Sequence, residues 1–163
     1  MRLFQDTLRA IIVAGSCLLP VILLASGGSF PSGTKIKIPN GYQKIEKIKA
    51  GDVIMGVKEN GNVDQTKVLT TTKSKVPLVA IKTKAGVIEA PKDTAIAMAG
   101  GGYCLVSELK LGHEIFYLDG NKLKTTVVLS LKPVKAKTTE VHTLTVDRPN
   151  NFIANNIVVH DRD

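Results

Sequence analysis

The chain has 163 residues and a formal net charge of +8, and 44% of its residues are hydrophobic. This length suits one domain with its own apolar core and leaves little room for a second. The lysines are scattered along the sequence without interleaved aromatic residues, a pattern that favours polar faces of strands over a nucleic-acid surface. We therefore predict no nucleic-acid partner. Because aromatic residues make up only 4% of the chain, the core must consist mainly of Val, Ile and Leu.

The first 28 residues differ in character from the rest. Arg2 and Arg9 precede an uncharged apolar run over residues 10–26, and small residues follow it. This pattern predicts an apolar helix that serves as a secretory signal peptide. The run is also close to the lower length limit of a membrane span, so a retained anchor and a buried core helix stay open as alternatives. With a signal or an anchor, the remainder is exported and is either secreted or held outside the cytoplasm.

The folded part begins at the sequence GGSFPSGTKI, which covers residues 27–36. Two glycines place Ser29 on a flexible hinge, and a Pro-Ser-Gly turn follows it. Such a stretch is either a spacer behind a targeting signal or a nucleophile directed at its own backbone. The residues of this stretch alone do not distinguish the two.

Two segments of the chain repeat each other. IEKIKAGDVI (residues 45–54) aligns without a gap to VSELKLGHEI (residues 106–115), 61 positions later. Each copy is followed by a polar turn and then by a β-rich run. Since there are only two copies, the repeat indicates a duplicated half-domain and not a solenoid. Within each copy, we expect a single helical turn or a tight bend.

Turn residues divide the remaining sequence into short strands. Asn40-Gly41, Asn60-Gly61 and Asp119-Gly120 are hairpin dipeptides, because glycine accepts the positive φ of these turns. We predict an all-β domain over residues 29–161, built from two pseudo-symmetric halves around an aliphatic core, with a tail at 162–163. The predicted strands are 34–38, 42–46, 53–58, 65–72, 77–84, 86–90, 94–98, 103–106, 114–118, 123–132, 139–146, 151–154 and 157–160.

The motifs of residues 28–161 resemble those of the Hint superfamily, which contains Hedgehog C-terminal domains, inteins and bacterial intein-like domains. The resemblance rests on the opening GGSFPSGTKIKIPNGYQKIEKIKAGDVIMGV, the middle segment LKLGHEI and the ending VHTLTVDRPNNFIANNIVVHD. It implies a pseudo-twofold, all-β horseshoe fold. It also implies that Ser29 is a nucleophile that attacks the carbonyl of the scissile residue, Gly28, and converts an amide into an ester.

The chain departs from the family pattern at several places, and Ser29 itself stands where the family more commonly has cysteine. The family's Thr-x-x-His motif, whose histidine contacts the scissile amide nitrogen, corresponds here to Ala90 through Asp93. An aspartate is ordinarily ionised at neutral pH and donates protons poorly. At the end, His160 is kept, but Asp161 replaces the asparagine whose amide nitrogen would cyclise. With no splicing nucleophile in Arg162 and Asp163, the resemblance implies impaired self-cleavage without splicing.

A further candidate is His142, on a strand that the family places near the active centre. Thr143 follows it where the family commonly has Asp or Asn. A lone strand histidine is also often a hydrogen-bonded structural residue, so both roles stay open. The candidate catalytic residues are thus Ser29, Asp93, His142, His160 and Asp161.

The implied partner is the chain's own N-terminal segment as substrate, together with a membrane if residues 10–26 stay attached. Three histidines and one cysteine outside the apolar run lack metal-ligand spacing, so we predict no metal site. We also predict that the domain uses no cofactor and is a monomer. The alternative function is a catalytically inactive, exported or tethered β module with a binding or structural role. The chain as part of a larger self-processing protein also stays open.

Overall fold

The computed structural model describes residues 28–161. In this part, the chain forms fourteen strands and two single turns of 3-10 helix, so the all-β prediction is confirmed. No helix within the described range is long and apolar enough to cross a membrane. The predicted apolar helix and the tail fall on residues 1–27 and 162–163, outside the described residues. The strands are β1 (Gly28–Pro31), β2 (Lys35–Ile38), β3 (Gly41–Lys44), β4 (Val53–Val57), β5 (Val63–Val76), β6 (Val79–Thr83), β7 (Gly86–Ala90), β8 (Ala95–Ala97), β9 (Tyr103–Leu105), β10 (Glu114–Asp119), β11 (Lys122–Pro133), β12 (Thr139–Val146), β13 (Asn151–Ala154) and β14 (Ile157–His160).

All thirteen predicted strands appear, as β2 to β14, with their ends shifted by a few residues at most positions. Strand β1 was not predicted, because its sequence GSFP has no apolar alternation and contains a glycine and a proline. It forms by antiparallel pairing with β12, a strand more than a hundred residues later in the chain. Long-range pairing, and not local propensity, therefore makes residues 28–31 a strand.

The strands form two sheets in which the two halves of the chain are interleaved. One sheet has the order β1-β12-β5-β4, and the other follows β3-β2-β13-β14-β10-β11-β6-β7, with β8 and β9 joined to it through β14. The long strand β5 pairs with β12 of the second half, and the long strand β11 pairs with β6 of the first half. Each half therefore contributes a hairpin that forms hydrogen bonds with a strand of the other half.

The two copies of the repeat have the same backbone structure. Each contains a 3-10 turn, Ile45–Lys47 in the first copy and Val106–Glu108 in the second. A glycine follows at a positive φ, +92° at Gly51 and +87° at Gly112. Gly51 donates its N–H to the carbonyl of Val68 at 2.7 Å, and Gly112 donates to Val128 at 2.9 Å. The duplication read from the sequence is thus a structural duplication, including the predicted single helical turns.

His113 has the same role in the second copy as Asp52 has in the first. The backbone N–H of Lys49 donates to Asp52 Oδ2 at 2.8 Å, and the backbone N–H of Lys110 donates to His113 Nδ1 at 3.2 Å. Each side chain therefore closes the four-residue turn that contains the positive-φ glycine of its copy. His113 is accordingly a turn-capping residue.

A single large apolar cluster extends through both halves, and a smaller one lies beside it. Each fully buried Ile, Leu or Phe contributes about 1.5–3 kcal/mol to folding relative to its exposed state. Strands β1, β12 and β13, which carry the candidate site, contribute buried residues to the large cluster. The largest residues of this cluster with no measurable exposure include Phe30, Ile54, Ile81, Ile115, Leu144 and Phe152.

Candidate active site

Ser29 lies in β1 with its hydroxyl buried against a second hydroxyl. The antiparallel register places Ser29 opposite Thr143 of β12. Opposite residues of an antiparallel pair share one face of the sheet, so the two side chains meet. Ser29 Oγ lies 2.7 Å from Thr143 Oγ1, and Ser29 is only 4% exposed. The candidate nucleophile is therefore held by a short hydrogen bond in a site with little access to water.

Gly28 precedes Ser29 and is packed against an aromatic ring. A Cβ atom at this position would lie 2.5 Å from Cζ and 2.6 Å from Cε1 of Phe152, closer than side chains approach in folded proteins. Phe152 in turn makes an edge-to-face contact with Phe30, with 6.0 Å between the ring centroids. The absence of a side chain is thus required at the residue whose carbonyl the sequence predicts to be attacked.

His142 is on the opposite face of β12 from Thr143, because successive side chains of a strand alternate. It pairs in register with Phe30 and is 7% exposed. Its Nε2 lies 2.9 Å from Ser32 Oγ and 3.9 Å from Glu140 Oε1. The structure therefore brings this histidine to Ser32, on the other side of the sheet from the Ser29 hydroxyl.

Asp161 connects the end of β14 to the same strand β12. It is fully buried, and its backbone N–H donates to the carbonyl of Asn150 at 2.9 Å. Its Oδ2 accepts a hydrogen bond from the backbone N–H of Val146. Val146 is two residues from Leu144, the register partner of Gly28, which is roughly 7 Å along a strand. Both ends of the described chain therefore meet on β12.

His160 packs against Tyr103, which is held by a buried asparagine. The His160 and Tyr103 rings make an edge-to-face contact with 4.6 Å between centroids. Asn151, the register partner of His160, donates from Nδ2 to Tyr103 Oη at 3.1 Å and to the carbonyl of Val57 at 2.9 Å. Its Oδ1 accepts the N–H of Val57 at 2.7 Å. Asn151 thus connects the end of β4 to the aromatic partner of His160.

The environment of Tyr103 keeps its phenol neutral. Burial raises its pKa to about 12, with a further contribution in the same direction from the negative charge of Asp161. The hydrogen bond from Asn151 acts in the opposite direction and is outweighed. Tyr103 is therefore an un-ionised hydroxyl close to Asp161 at all physiological pH values.

Asp93 lies in the turn between β7 and β8, with its side chain exposed. The next residue, Thr94, is 1% exposed, and its Oγ1 has no hydrogen-bond partner among the described residues. Ala95 pairs with His160 across β8 and β14, so Thr94 stands beside Asp161 by register. The turn between β7 and β8 thus reaches the site. The side chain that it buries there is that of Thr94, whereas the side chain of Asp93 is exposed to solvent.

Of the predicted residues, Ser29 and Asp161 are brought to β12 in buried positions, and His160 adjoins Asp161. Their catalytic roles stay predictions. Sequence reasoning did not select Tyr103 or Asn151, and the only signal for Asn151 was its place before Phe152 in the closing motif. Residues 28–161 contain no group of three or more His, Cys, Asp or Glu side chains placed to hold a metal ion.

Comparisons with known proteins gave matches only among solved structures: no protein-family profile and no curated protein matches the sequence. A bacterial intein-like domain from Clostridium thermocellum is 27% identical with a TM-score of 0.73, and the match covers 83% of this chain and 99% of that one. A DnaB intein from Synechocystis sp. PCC 6803 is 22% identical, with a TM-score of 0.75 and the same coverage of 83% and 99%. The gp41-1 intein is 25% identical with a TM-score of 0.68, again over 83% and 99%.

Proposed function

Because the chain has the Hint/intein-like fold, we propose that it is a self-processing domain that cleaves the bond between Gly28 and Ser29. Ser29 Oγ forms a bond to the carbonyl carbon of Gly28, the C–N bond between the two residues breaks, and the hydroxyl proton moves to the Ser29 nitrogen. The product is an ester of Gly28 with the Ser29 side chain. Water then hydrolyses this ester, which leaves a Gly28 carboxylate and a free Ser29 amine and hydroxyl.

The observation that carries this proposal is the buried pair of Ser29 and Thr143 next to a tightly packed Gly28. A hydroxyl 2.7 Å from a fixed acceptor is restricted to few orientations, which lowers the entropic cost of reaching an attacking geometry. Thr143 Oγ1 can accept a hydrogen bond from the Ser29 hydroxyl, but a neutral hydroxyl is a much weaker base than a carboxylate. The proposed cleavage is accordingly slow.

The proposed processing stops at N-terminal cleavage. Splicing by asparagine cyclisation needs a side-chain amide nitrogen, and the carboxylate of Asp161 has none. In the structure, Asp161 Oδ2 accepts the N–H of Val146 and so supports the strand that carries Thr143. This contact supports a structural role for Asp161 in the proposed reaction. The roles predicted for Asp93, His142 and His160 stay predictions.

Cell-free synthesis of the full chain without membranes tests the cleavage, because no signal peptidase is then present. We expect intact-protein mass spectrometry to show a slowly growing species that begins at Ser29. Hydroxylamine should release the upstream segment as a Gly28 hydroxamate, because it attacks esters and leaves amides intact. Ser29→Ala should abolish both products, and Ser74→Ala, at an exposed serine of β5, should change neither. A wild-type chain that stays whole with hydroxylamine present refutes the proposal.

A second candidate function is a β module without chemistry, and the position of Asp93 favours it. The residue that replaces the family's histidine is exposed, and no hydrogen bond or ion pair joins it to the rest of residues 28–161. Without a proton donor at the amide nitrogen, the leaving group is poor. This candidate predicts a stable chain whose N-terminus never changes in the cell-free experiment.

We extend the proposal to location: residues 10–26 direct export, and the upstream segment is both the membrane contact and the substrate. Self-cleavage would then release the β domain from its attachment. Expression in a host with an inhibited signal peptidase separates the two routes of release. The proposal expects the Ser29 variant to remain in the membrane fraction, and it is contradicted if wild type and Ser29→Ala distribute alike.

A further inference from the structure

A second serine, Ser32, contacts an imidazole, whereas Ser29 contacts the hydroxyl of Thr143. Ser32 follows β1 in the turn before β2 and is exposed to solvent. Its Oγ lies 2.9 Å from Nε2 of His142, a histidine that is 7% exposed and fixed within strand β12. When the ring proton is on Nδ1, the Ser32 hydroxyl donates to Nε2. An accessible hydroxyl is therefore held by a rigid base.

The Ser32–His142 pair lies apart from the Ser29 hydroxyl. Phe30 faces His142 across β1 and β12, whereas Ser29 faces Thr143, so the two hydroxyls lie on opposite faces of the sheet. Acylation of Ser32 therefore does not require the Ser29 hydroxyl.

Two acidic side chains, Glu140 and Glu46, lie near His142. Glu140 of β12 places Oε1 3.9 Å from Nε2, and Lys73 of β5 lies 4.0 Å from the same oxygen. Glu46 is close enough for its pKa to be lowered slightly by His142, after the larger effect of its hydrogen bond from Gly33. A histidine next to acidic groups can accept the proton of a serine during attack, because the resulting imidazolium is stabilised.

We propose that Ser32 is a nucleophilic serine that is acylated by activated esters. Ser32 Oγ attacks the carbonyl carbon of an ester RCO–OR′, and His142 Nε2 takes the hydroxyl proton. The bond to OR′ then breaks, and His142 returns the proton to the leaving oxygen, so the products are acyl-Ser32 and R′OH. The substrate class is an acyl group on a good leaving group, such as an aryl ester or a thioester.

The geometry next to Ser32 makes this a modification site and not a turnover site. Both acylation and hydrolysis pass through a tetrahedral intermediate, but the alkyl ester on Ser32 has a poorer leaving group than an aryl ester and so depends more on N–H groups aimed at the intermediate's oxygen. The N–H of the next residue, Gly33, donates instead to Glu46 Oε2 at 2.8 Å. We therefore expect the acyl group to remain on Ser32 for longer than one round of reaction.

The test treats the full chain with p-nitrophenyl acetate near neutral pH and maps acetylated peptides by mass spectrometry. Hydroxylamine, applied to half of each sample, removes esters and leaves acetyl-lysine amides. Ser74 and Ser107 are internal controls, since both are exposed and neither contacts a histidine among the described residues. We expect hydroxylamine-sensitive acetylation of Ser32 at least about tenfold faster than of either control.

Two variants complete the experiment. His142→Gln should reduce acetylation of Ser32 to the level of the control serines, and Ser29→Ala should leave it unchanged. Equal labelling of Ser32, Ser74 and Ser107 in the wild type overturns the proposal, whether or not the His142 variant folds. So does full labelling in a folded His142→Gln protein. Because the readout is an adduct at Ser32, its failure says nothing about Gly28–Ser29 cleavage, and the reverse also holds.

Discussion

At the scale of single residues, the site depends on contacts that a change of a few atoms would break. Ser29 and Thr143 share one short hydrogen bond, and Gly28 has no room for a methyl group beside Phe152. Both features are in buried surroundings, where an unpaired hydroxyl or an overlapping atom costs most. Substitutions here therefore report directly on the proposed chemistry.

We expect Thr143→Asp to accelerate cleavage between Gly28 and Ser29 by about a hundredfold, because a carboxylate is a far better proton acceptor than a hydroxyl. Thr143→Val should slow the cleavage and lower the free energy of unfolding by about 1–3 kcal/mol, because it removes the buried hydrogen bond between the two hydroxyls. The rate of appearance of the Ser29 N-terminus measures both changes in cleavage, and urea unfolding measures the change in stability. Thr145→Val, two residues along the same face, is the matched control and should leave the rate unchanged.

Gly28→Ala should lower the free energy of unfolding by about 1–3 kcal/mol through overlap with Phe152. Phe152→Leu opens space on the other side of this contact, so the double variant should lose less than the two single variants predict together. Urea unfolding of the four proteins gives the coupling. Additive losses would show that the ring moves aside and does not restrict residue 28.

At the scale of elements, Asn151 holds the ends of three strands together. It bonds both backbone groups of Val57 at the end of β4 and the hydroxyl of Tyr103 at the start of β9, from its own place at the start of β13. The backbone of Val57 is buried and has no water to replace the lost bonds. Asn151 thus contributes to holding Tyr103 against His160.

Asn151→Ala is expected to lower the free energy of unfolding by about 2–4 kcal/mol, since it leaves buried backbone groups without partners. Urea unfolding followed by circular dichroism measures this loss. Asn121→Ala, in the exposed turn between β10 and β11, is the control and should change stability by less than about 0.5 kcal/mol. A loss equal to that of the control would mean that the Val57 bonds are not formed in solution.

The raised pKa of Tyr103 predicts a loss of stability in alkali. The phenol ionises near pH 10 in the unfolded chain and near pH 12 in the folded one, so its contribution is complete below pH 10. As the pH rises from 10 to 12, the unfolded state releases the proton first, and the free energy of unfolding decreases. Tyr103→Phe should show a smaller decrease over this interval when urea unfolding is repeated at each pH. Identical pH dependences in the two proteins would contradict the assignment.

At the scale of the whole molecule, the fold is a duplicated unit whose halves exchange hairpins. The equivalent turns at Gly51 and Gly112 have matching φ values and matching hydrogen bonds to Val68 and Val128. Because β5 pairs with β12 and β11 with β6, neither half can complete its sheets alone. The two halves are therefore expected to unfold together.

The duplication predicts that Asp52 and His113 are interchangeable as turn caps. Asp52→Ala and His113→Ala should each cost about 1 kcal/mol of unfolding free energy, the usual net value of a side chain-to-backbone hydrogen bond. His113→Asp should restore the bond to the Lys110 N–H and cost less than His113→Ala. Thermal unfolding of the three variants measures the order. An equal cost for the aspartate and alanine variants at 113 would show that the second turn does not need its cap.

Much of the architecture was predictable because its causes are local. Turn dipeptides, β-branched runs and a 61-residue repeat identified thirteen strands and the pseudo-twofold organisation. The resemblance of short motifs to the Hint superfamily pointed to Ser29, Gly28, His160 and Asp161 as candidates. These features depend on residues near one another in the chain, for which composition and spacing are direct evidence.

Which residues contact one another in the candidate site is decided only by the tertiary structure. Ser29 reaches Thr143 across 114 positions of sequence, and Ser32 reaches His142 across 110. The face on which a strand side chain lies changes with a register shift of one residue, and no local pattern specifies the register between β1 and β12. The sequence by itself thus determined the fold class, and its resemblance to the Hint superfamily suggested the candidate nucleophile. Which hydroxyl meets threonine and which meets histidine follows from how two distant strands pair.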